Sequence, residues 1–360
     1  MDYTRTTLRQ YLATQTRSRN GLDEDLAALI VDVAASCKAI AGAVERAALE
    51  GRLGNVEGEI LNVQGETQKQ LDVLANELMI ESGLRGGHVA GLASEEMAEV
   101  LPVPDAQPRG DYLLLFDPLD GSANVDVDLT VGSIFSVLRR PHAARVLAPA
   151  EFLQAGDEQV AAGFALYGPF TVLVLTTGRG VDAFTLDRQS GEFVLTKVQM
   201  NIPKDTAEYA INGSNARFWE PPVRRYINEC QAGKAGPRRK DFNTRWIASL
   251  VAEAYRVLTR GGAYLYPVDE RLRLQGGRLR LLYEVNPIAF LIEEAGGSAS
   301  TGRMRVLDVA PESLHQRVPF IFGSCHEVER INQYHREYRE GRDSSELASP
   351  LFGERSLLRA

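Results

Sequence analysis

Cysteine is scarce, and the three present, Cys37, Cys230 and Cys325, are far apart in 360 residues. Neither a disulfide framework nor a zinc knuckle follows from such spacing, so a reducing, cytoplasmic setting is the expectation. The five histidines form no metal-spaced cluster, and no Ser-His or Cys-His nucleophile arrangement stands out. No run approaches the ~18 consecutive apolar residues of a membrane span. The start, MDYTRTTLRQYL, lacks a cationic region followed by an apolar one, so no secretory signal is expected. A basic excess is missing too: Lys and Arg total 40 against 48 Asp and Glu, a net charge of -8. Nucleic acid needs a basic footprint, so it is not expected as a partner. What remains is ordinary globular composition, 44% hydrophobic and 24% charged. A length of 360 residues allows about two domains.

Along the chain, Leu22, Leu26, Leu29, Val33, Cys37, Ile40 and Val44 recur at helical spacing, predicting a long amphipathic helix over Leu22–Leu49. Asp23, Glu24 and Asp25 fall in its first turn. A second helix is expected near Glu66–Ser82, with Asp72 beside its apolar stripe, where it is either a solvated acid or one that needs a partner. Strands are expected at Tyr112–Phe116 and Gly132–Leu138. Thr171–Thr176, Val181–Leu186 and Glu192–Thr196 read as an antiparallel meander. His142–Gln159 is ambiguous. Prolines at 203, 221, 222 and 237 suit a change of domain near residue 200. Beyond them a helix over Thr244–Thr259, strands Ala263–Tyr266 and Leu279–Tyr283, and a helix capped by Asn286-Pro287 are expected. This divides the chain into residues 1–200, residues 201–335 and a charged, flexible tail, 336–360.

The stretch with most chemistry is Asp117-Pro118-Leu119-Asp120-Gly121-Ser122, which follows the apolar run Tyr112–Phe116. Two carboxylates three residues apart suit a hard, oxygen-preferring cation such as Mg²⁺. Gly121-Ser122 at a possible helix start offers unpaired N–H groups to an anion. By itself the motif fits a metal–phosphate site and a solvated loop equally. Glu95-Glu96 and Glu284 lie at comparable junctions, and such element ends converge in layered α/β structures.

GETQKQLDVLAN, ASEEM, FDPLDGSANVD, the IN at 211–212, YLYP, GRLRLLYEVNPIAFLIEEAGG and VLDVAPESLHQRVPFIFGS, in that order, resemble class I fructose-1,6-bisphosphatase over roughly residues 5–335. The resemblance implies a five-layer αβαβα sandwich, a homotetramer, and Mg²⁺ (or Mn²⁺) dependence with about two or three ions per subunit. The implied reaction removes the 1-phosphate of fructose 1,6-bisphosphate. It makes Glu95, Asp117, Asp120, Glu284 and the Leu119 carbonyl metal ligands, with Glu66 at an aspartate position near the metals. Asp72 and Glu96 match the pair that takes the proton from the attacking water. Gly121, Ser122 and Arg280, with Asp120 beside them, would face the departing phosphate. Asn212, Tyr266 and Arg278 would hold the sugar and 6-phosphate, helped by Arg245 of a neighbouring subunit.

Departures from the family pattern concern substrate shape and regulation. Ala123 replaces a second serine, Arg278 a lysine, Gly213-Ser214-Asn215 a Glu-Gly-Tyr, and Trp246 a tyrosine. Sedoheptulose 1,7-bisphosphate is therefore an alternative substrate. An inositol- or nucleotide-phosphate phosphatase and a non-catalytic sugar-phosphate sensor are the competing readings. Animal-type members bind the inhibitor AMP at the first helix's N-terminus, using a lysine just before the D-P-L-D-G strand. Here Asp23-Glu24-Asp25 and Asp111 occupy those positions, with Arg139 or Arg140 the nearest basic residues. AMP insensitivity is expected. Arg139–Gly163 has no cysteine, so thioredoxin control through a plastid-type loop is not expected.

Overall fold

The computed structural model describes residues 5–18, 21–56, 68–141 and 147–342. Three helices open the chain: α1 (Leu8–Thr16), α2 (Glu24–Arg46) and α3 (Gln70–Gly86). An eight-stranded sheet follows, built from β1 (Val89–Ser94), β2 (Leu101–Pro102), β3 (Tyr112–Asp120), β4 (Val131–Arg139), β5 (Gln159–Tyr167), β6 (Thr171–Thr176), β7 (Val181–Asp187) and β8 (Glu192–Lys197). Its spatial order is β2-β1-β3-β4-β5-β6-β7-β8. Only β1 and β3 run parallel; the remaining neighbours are antiparallel.

The second half contributes β9 (Glu208–Ile211), α4 (Pro221–Gln231), β10 (Asn243–Thr244), α5 (Leu250–Arg260), β11 (Ala263–Tyr266), β12 (Leu279–Arg280), α6 (Asn286–Glu294), β13 (Ser298–Ser300), β14 (Arg317–Val318), β15 (Phe320–Gly323) and α7 (Cys325–Arg339). A five-stranded sheet runs β10-β9-β11-β15-β13, and β12 pairs with β14 separately.

Strand alternation makes the layers. Phe116, Phe135 and Leu173 point to the face covered by α2 and α3, where they join Leu26, Leu29, Val33 and Met79. Their neighbours Ile134, Val172 and Val174 point the other way and meet α5 and α6 through Val251, Val257, Ile288 and Ile292. Tyr264 and Phe322 of the second sheet close that middle layer. Leu265 and Ile321, one residue along, face α4 and α7 through Val223, Tyr226, Val328 and Ile331. The order helix, sheet, helix, sheet, helix is thus the expected αβαβα sandwich. Both sheets are covered on both faces, which is why strands such as β4 and β6 are buried almost throughout. By length and composition α2 could cross a bilayer (mean hydropathy 1.8), but 56% of that apolar window is buried. Its role in the fold is that of a core helix.

Several expectations need correction. The strand β5 was missed: Ala161, Ala162, Gly163 and Ala165 have small side chains and weak strand preference, and the strand forms because it is paired on both edges. Also missed were α1 and α4; the latter opens with Pro221-Pro222 in its first turn, where proline is tolerated. The helix placed from Thr244 starts at Leu250, because the Ser249 hydroxyl caps it by accepting from Ala252 N–H. The strand placed over Leu279–Tyr283 ends at Arg280, and Leu281–Val285 forms a π-helical turn running into α6. Asn286 is therefore inside the helix and not its cap. The charged tail placed from residue 336 is helical through Arg339, since Ile331, Tyr334 and His335 anchor α7. Residues 343–360 of that tail, and Glu66, lie outside the described residues.

Candidate active site

The D-P-L-D segment lies within β3, not in a turn after it, and its spacing works only because the strand bulges there. Asp117 pairs with Ile134 and Asp120 with Gly132, three steps on β3 against two on β4. In a regular strand, residues three apart face opposite sides. The extra residue turns Asp120 back, and both carboxylates line one cavity. Asp117 Oδ1 accepts from Leu119 N–H at 3.0 Å, curling the backbone through the bulge. Gly121 then adopts a φ of 75°, a left-handed conformation that favours glycine, and Ser122–Val127 forms a short 3₁₀ turn.

Other elements deliver the remaining acids. Glu95 follows β1, whose parallel pairing with β3 puts Ser94 beside Phe116. Glu284 comes from the π-helical turn, and its Oε2 accepts from Arg280 N–H at 2.6 Å. One carboxylate oxygen each from Glu95, Asp117 and Glu284 lies within 4.8 Å of the other two. Asp120 Oδ2 accepts from Val251 N–H, 3.1 Å away, at the start of α5. The helix end thus binds a side chain of the first sheet, joining the two halves at the site. The Arg280 guanidinium sits among the acids, 2.8 Å from Glu95 and 3.9 Å from Glu284.

This crowding shows in protonation. Burial, then the charges of Glu95, Asp120 and Glu284, pushes the Asp117 carboxyl well above the usual carboxylate range. Burial and Glu284 raise Asp120 to about 7, against the amides of Val251 and Leu250. Burial and the neighbouring charge of Glu96 likewise raise Asp72 to about 7. Asp72 is held by Lys69 N–H at 2.9 Å and by the Ser122 hydroxyl.

The cavity they share has a volume of about 380 Å³. Of the residues expected at the site, it is lined by Asp72, Glu95, Glu96, Asp117, Leu119, Asp120, Gly121, Ser122, Asn212, Tyr266, Arg278, Arg280 and Glu284. Arg245 does not line it; its side chain lies 3.7 Å from Glu208 and is about half exposed. Six carboxyl groups face two guanidinium groups in this space, an acid excess that only protonation or bound cations can offset. An all-oxygen donor set of this kind matches hard divalent cations, so these residues fit a metal centre.

A small adjoining pocket is lined by Asn212, Asn215, Trp219, Tyr266 and Asp269. Asn212 Oδ1 accepts from Ser214 N–H at 3.1 Å and Ser214 Oγ at 2.6 Å, so its NH₂ group is the end left for a ligand. Trp246 stacks on Tyr264 at 5.9 Å as part of the cavity wall.

Profiles of the two halves of one enzyme family match nearly the whole chain: fructose-1-6-bisphosphatase, N-terminal domain, over residues 6–198, and its C-terminal domain over residues 202–336. The chain belongs to the fructose-1,6-bisphosphatase family. It is a phosphatase of that family. Solved structures agree. Leishmania major fructose-1,6-bisphosphatase in holo form is 37% identical, with a TM-score of 0.85, over 92% of this chain and 99% of that one. The apo form of the Leishmania enzyme is 35% identical, with a TM-score of 0.81, over 92% of this chain and 100% of that one.

Some of the site's supports leave no mark in the sequence. Gln68 Nε2 donates to Glu96 Oε2 at 2.8 Å, and Lys69 Nζ lies 2.6 Å from Asp126 while its backbone holds Asp72. Nothing in local periodicity marks these contacts. The α5 amides on Asp120 were legible in principle, since Ser249 is a good N-cap residue and N-caps announce free N–H groups.

Proposed function

We propose that this phosphatase hydrolyses the 1-phosphate of fructose 1,6-bisphosphate, giving fructose 6-phosphate and phosphate, with divalent-cation dependence. The observation that carries the reading is one cavity joining the Glu95–Asp117–Glu284 oxygen cluster to Asn212, Tyr266 and Arg278. Glu95, Asp117, Asp120, Glu284 and the Leu119 carbonyl would hold the cations, with Mg²⁺ or Mn²⁺ best suited to the donor set. Bound there, they supply polarisation of the phosphate and a lowered pKa for water.

The chain's own groups do the rest. Asp72, in its ionised form, accepts a proton from the attacking water, with Glu96 beside it to share the charge. Gly121 and Ser122, just past the bulge, face the departing phosphate, and Arg280 balances charge among the acids. At the other end the Arg278 fork and the Asn212 NH₂ group grip the second phosphate, which positions the first for in-line attack. Asn215, standing where the family pattern has a tyrosine, lines the adjoining pocket and favours a second reading, use of sedoheptulose 1,7-bisphosphate.

Phosphate release assays on both bisphosphates check these statements. Activity on fructose 1,6-bisphosphate is expected with Mg²⁺ and is expected to vanish in EDTA. Release that EDTA leaves untouched refutes the mechanism. The ratio of kcat/KM for the two sugars decides between single and dual specificity.

The reading includes AMP insensitivity. At the N-terminus of α2, Asp23 Oδ1 already accepts from Asp25 N–H (3.0 Å) and Leu26 N–H (3.3 Å). An incoming phosphate would compete with that carboxylate for the same amides and be repelled by it. Arg139 lies 3.5 Å from Asp23 and donates to the Tyr112 hydroxyl, while Arg140 is clamped by Glu151. Millimolar AMP is expected to leave initial rates unchanged. Inhibition of the wild-type enzyme by micromolar AMP, abolished by changing Asp111, would overturn this.

A further inference from the structure

The bulge in β3 brings Asp117 and Asp120 to one face, so whatever holds the bulge holds the acid cluster. Backbone groups in a bulge leave the strand ladder, and a buried carbonyl without a donor is costly. Pro118 is in the bulge, and its carbonyl accepts from Ser133 Oγ at 2.7 Å. Ser133 belongs to β4, directly across from the irregular step, and is wholly buried. Its oxygen is also 2.7 Å from the Tyr167 hydroxyl. A serine has one proton to donate, and here it goes to Pro118, so Tyr167 must be the donor to Ser133. Tyr167, at the end of β5, is buried in the same apolar cluster as Cys37 of α2. The chain therefore reads Tyr167 O–H to Ser133 O–H to Pro118 C=O, each proton with one acceptor. It lies on the α2 side of the sheet, whereas Asp117 and Asp120 open into the cavity.

We propose that Ser133, supported by Tyr167, is a positioning residue of this site: it clamps the Pro118 carbonyl and so holds the bulge that aims Asp117 and Asp120 at the bound cation. This rests on the metal-dependent reading above, and the test separates the two. Without the hydroxyl, the bulge loses the bond that fixes its backbone, and the two carboxylates lose their common aim. Misplacement of a reacting assembly by about 1 Å costs up to ~100-fold in rate.

The experiment measures kcat and KM for fructose 1,6-bisphosphate, and Mn²⁺ affinity by the EPR signal of the free ion, in Ser133→Ala, Ser133→Thr and Tyr167→Phe. Ser133→Ala is expected to lower kcat at least ~10-fold with KM changed less than about twofold, and to weaken Mn²⁺ binding about 10-fold. Ser133→Thr restores the hydroxyl and is expected to restore most of both. Tyr167→Phe, which keeps the Ser133–Pro118 bond, is expected to show a smaller loss of the same kind. A folded Ser133→Ala protein with kcat and Mn²⁺ affinity both within twofold of wild type overturns the proposal, whatever its melting temperature. If Ser133→Ala does not fold, Tyr167→Phe decides: unchanged kcat and Mn²⁺ affinity overturn it. The Mn²⁺ measurement stands even if the wild-type enzyme prefers another sugar phosphate.

Discussion

Asp117→Asn is expected to abolish turnover and at the same time to raise the melting temperature of the metal-free protein. The two effects share one cause. Asp117 is buried beside Glu95, Asp120 and Glu284, with the Arg280 guanidinium as their nearest counter-charge. Like charges in a desolvated site repel, which is what pushes the Asp117 carboxyl upward. Asparagine has nearly the same shape, and its Oδ1 can still accept from Leu119 N–H, so the curl of the bulge survives. Asparagine needs neither an ionised form among like charges nor a proton taken up on folding against an unfolded-state pKa near ~3.9, so in EDTA the unfolding midpoint should rise by roughly 1–4 °C. With divalent metal the order reverses, because wild type gains binding energy that the variant largely loses. Turnover should fall by at least ~1,000-fold, since charge stabilisation at the reacting phosphate depends on that ligand set. Differential scanning calorimetry with EDTA and with Mn²⁺, run beside a phosphate-release assay, measures all three effects. A variant that melts below wild type in EDTA, or that keeps more than a tenth of the activity, contradicts the account.

The second large effect is a loss of activity on the acid side of neutrality, carried by Asp72. Burial and the charge of Glu96 raise this carboxyl to about 7. A general base works only when ionised, so kcat/KM should be level above pH ~7 and fall about tenfold per unit below it. Asp72→Asn should reduce kcat by ~100- to 10,000-fold and remove that acid limb. The sign for stability is opposite. In the unfolded chain Asp72 titrates near ~3.9, so between ~4 and 7 the folded state holds a proton that the unfolded state has released. Its contribution to stability is therefore complete below pH ~4 and is lost as pH rises through about 7. The enzyme gives up stability at the pH where the base becomes competent. An acid limb that persists unchanged in Asp72→Asn would assign it to another group, and the proposed role would fail.

How much of this was legible beforehand differs from element to element. The long helix α2 and the meander β6–β8 were readable because a covered amphipathic face leaves a period of 3.6 or 2 in the sequence. The strand β5 was not, because its alanines and glycine carry no such pattern and its place is set by neighbours on both edges. The π-helical turn at Leu281–Val285 was not legible either: Leu281-Leu282-Tyr283 is too short an apolar run to tell strand from buried helix, and only packing decides.

At the site, the reaction class was readable from residue order, through the family that order resembles. The ordered segments that carry Asp72, Glu95-Glu96, Asp117, Asp120, Asn212, Tyr266, Arg278, Arg280 and Glu284 marked the chain as a relative of the fructose-1,6-bisphosphatases, a phosphatase family. That information is residue identity in a fixed order, and it survives without coordinates. Which of those groups share a cavity, and how burial shifts their protons, came from the packing of distant segments. Asp117 and Asp120 share a face because one extra residue sits in β3 opposite β4. Asp120 is tied to the second half through the first amides of α5, and the Asp72 carboxyl is pushed up to about 7 because it is buried beside Glu96. Bulges, burial and long-range amide contacts arise from pairing between segments far apart in the chain. Local sequence carries no record of that pairing, so the acids could be named in advance but not aimed.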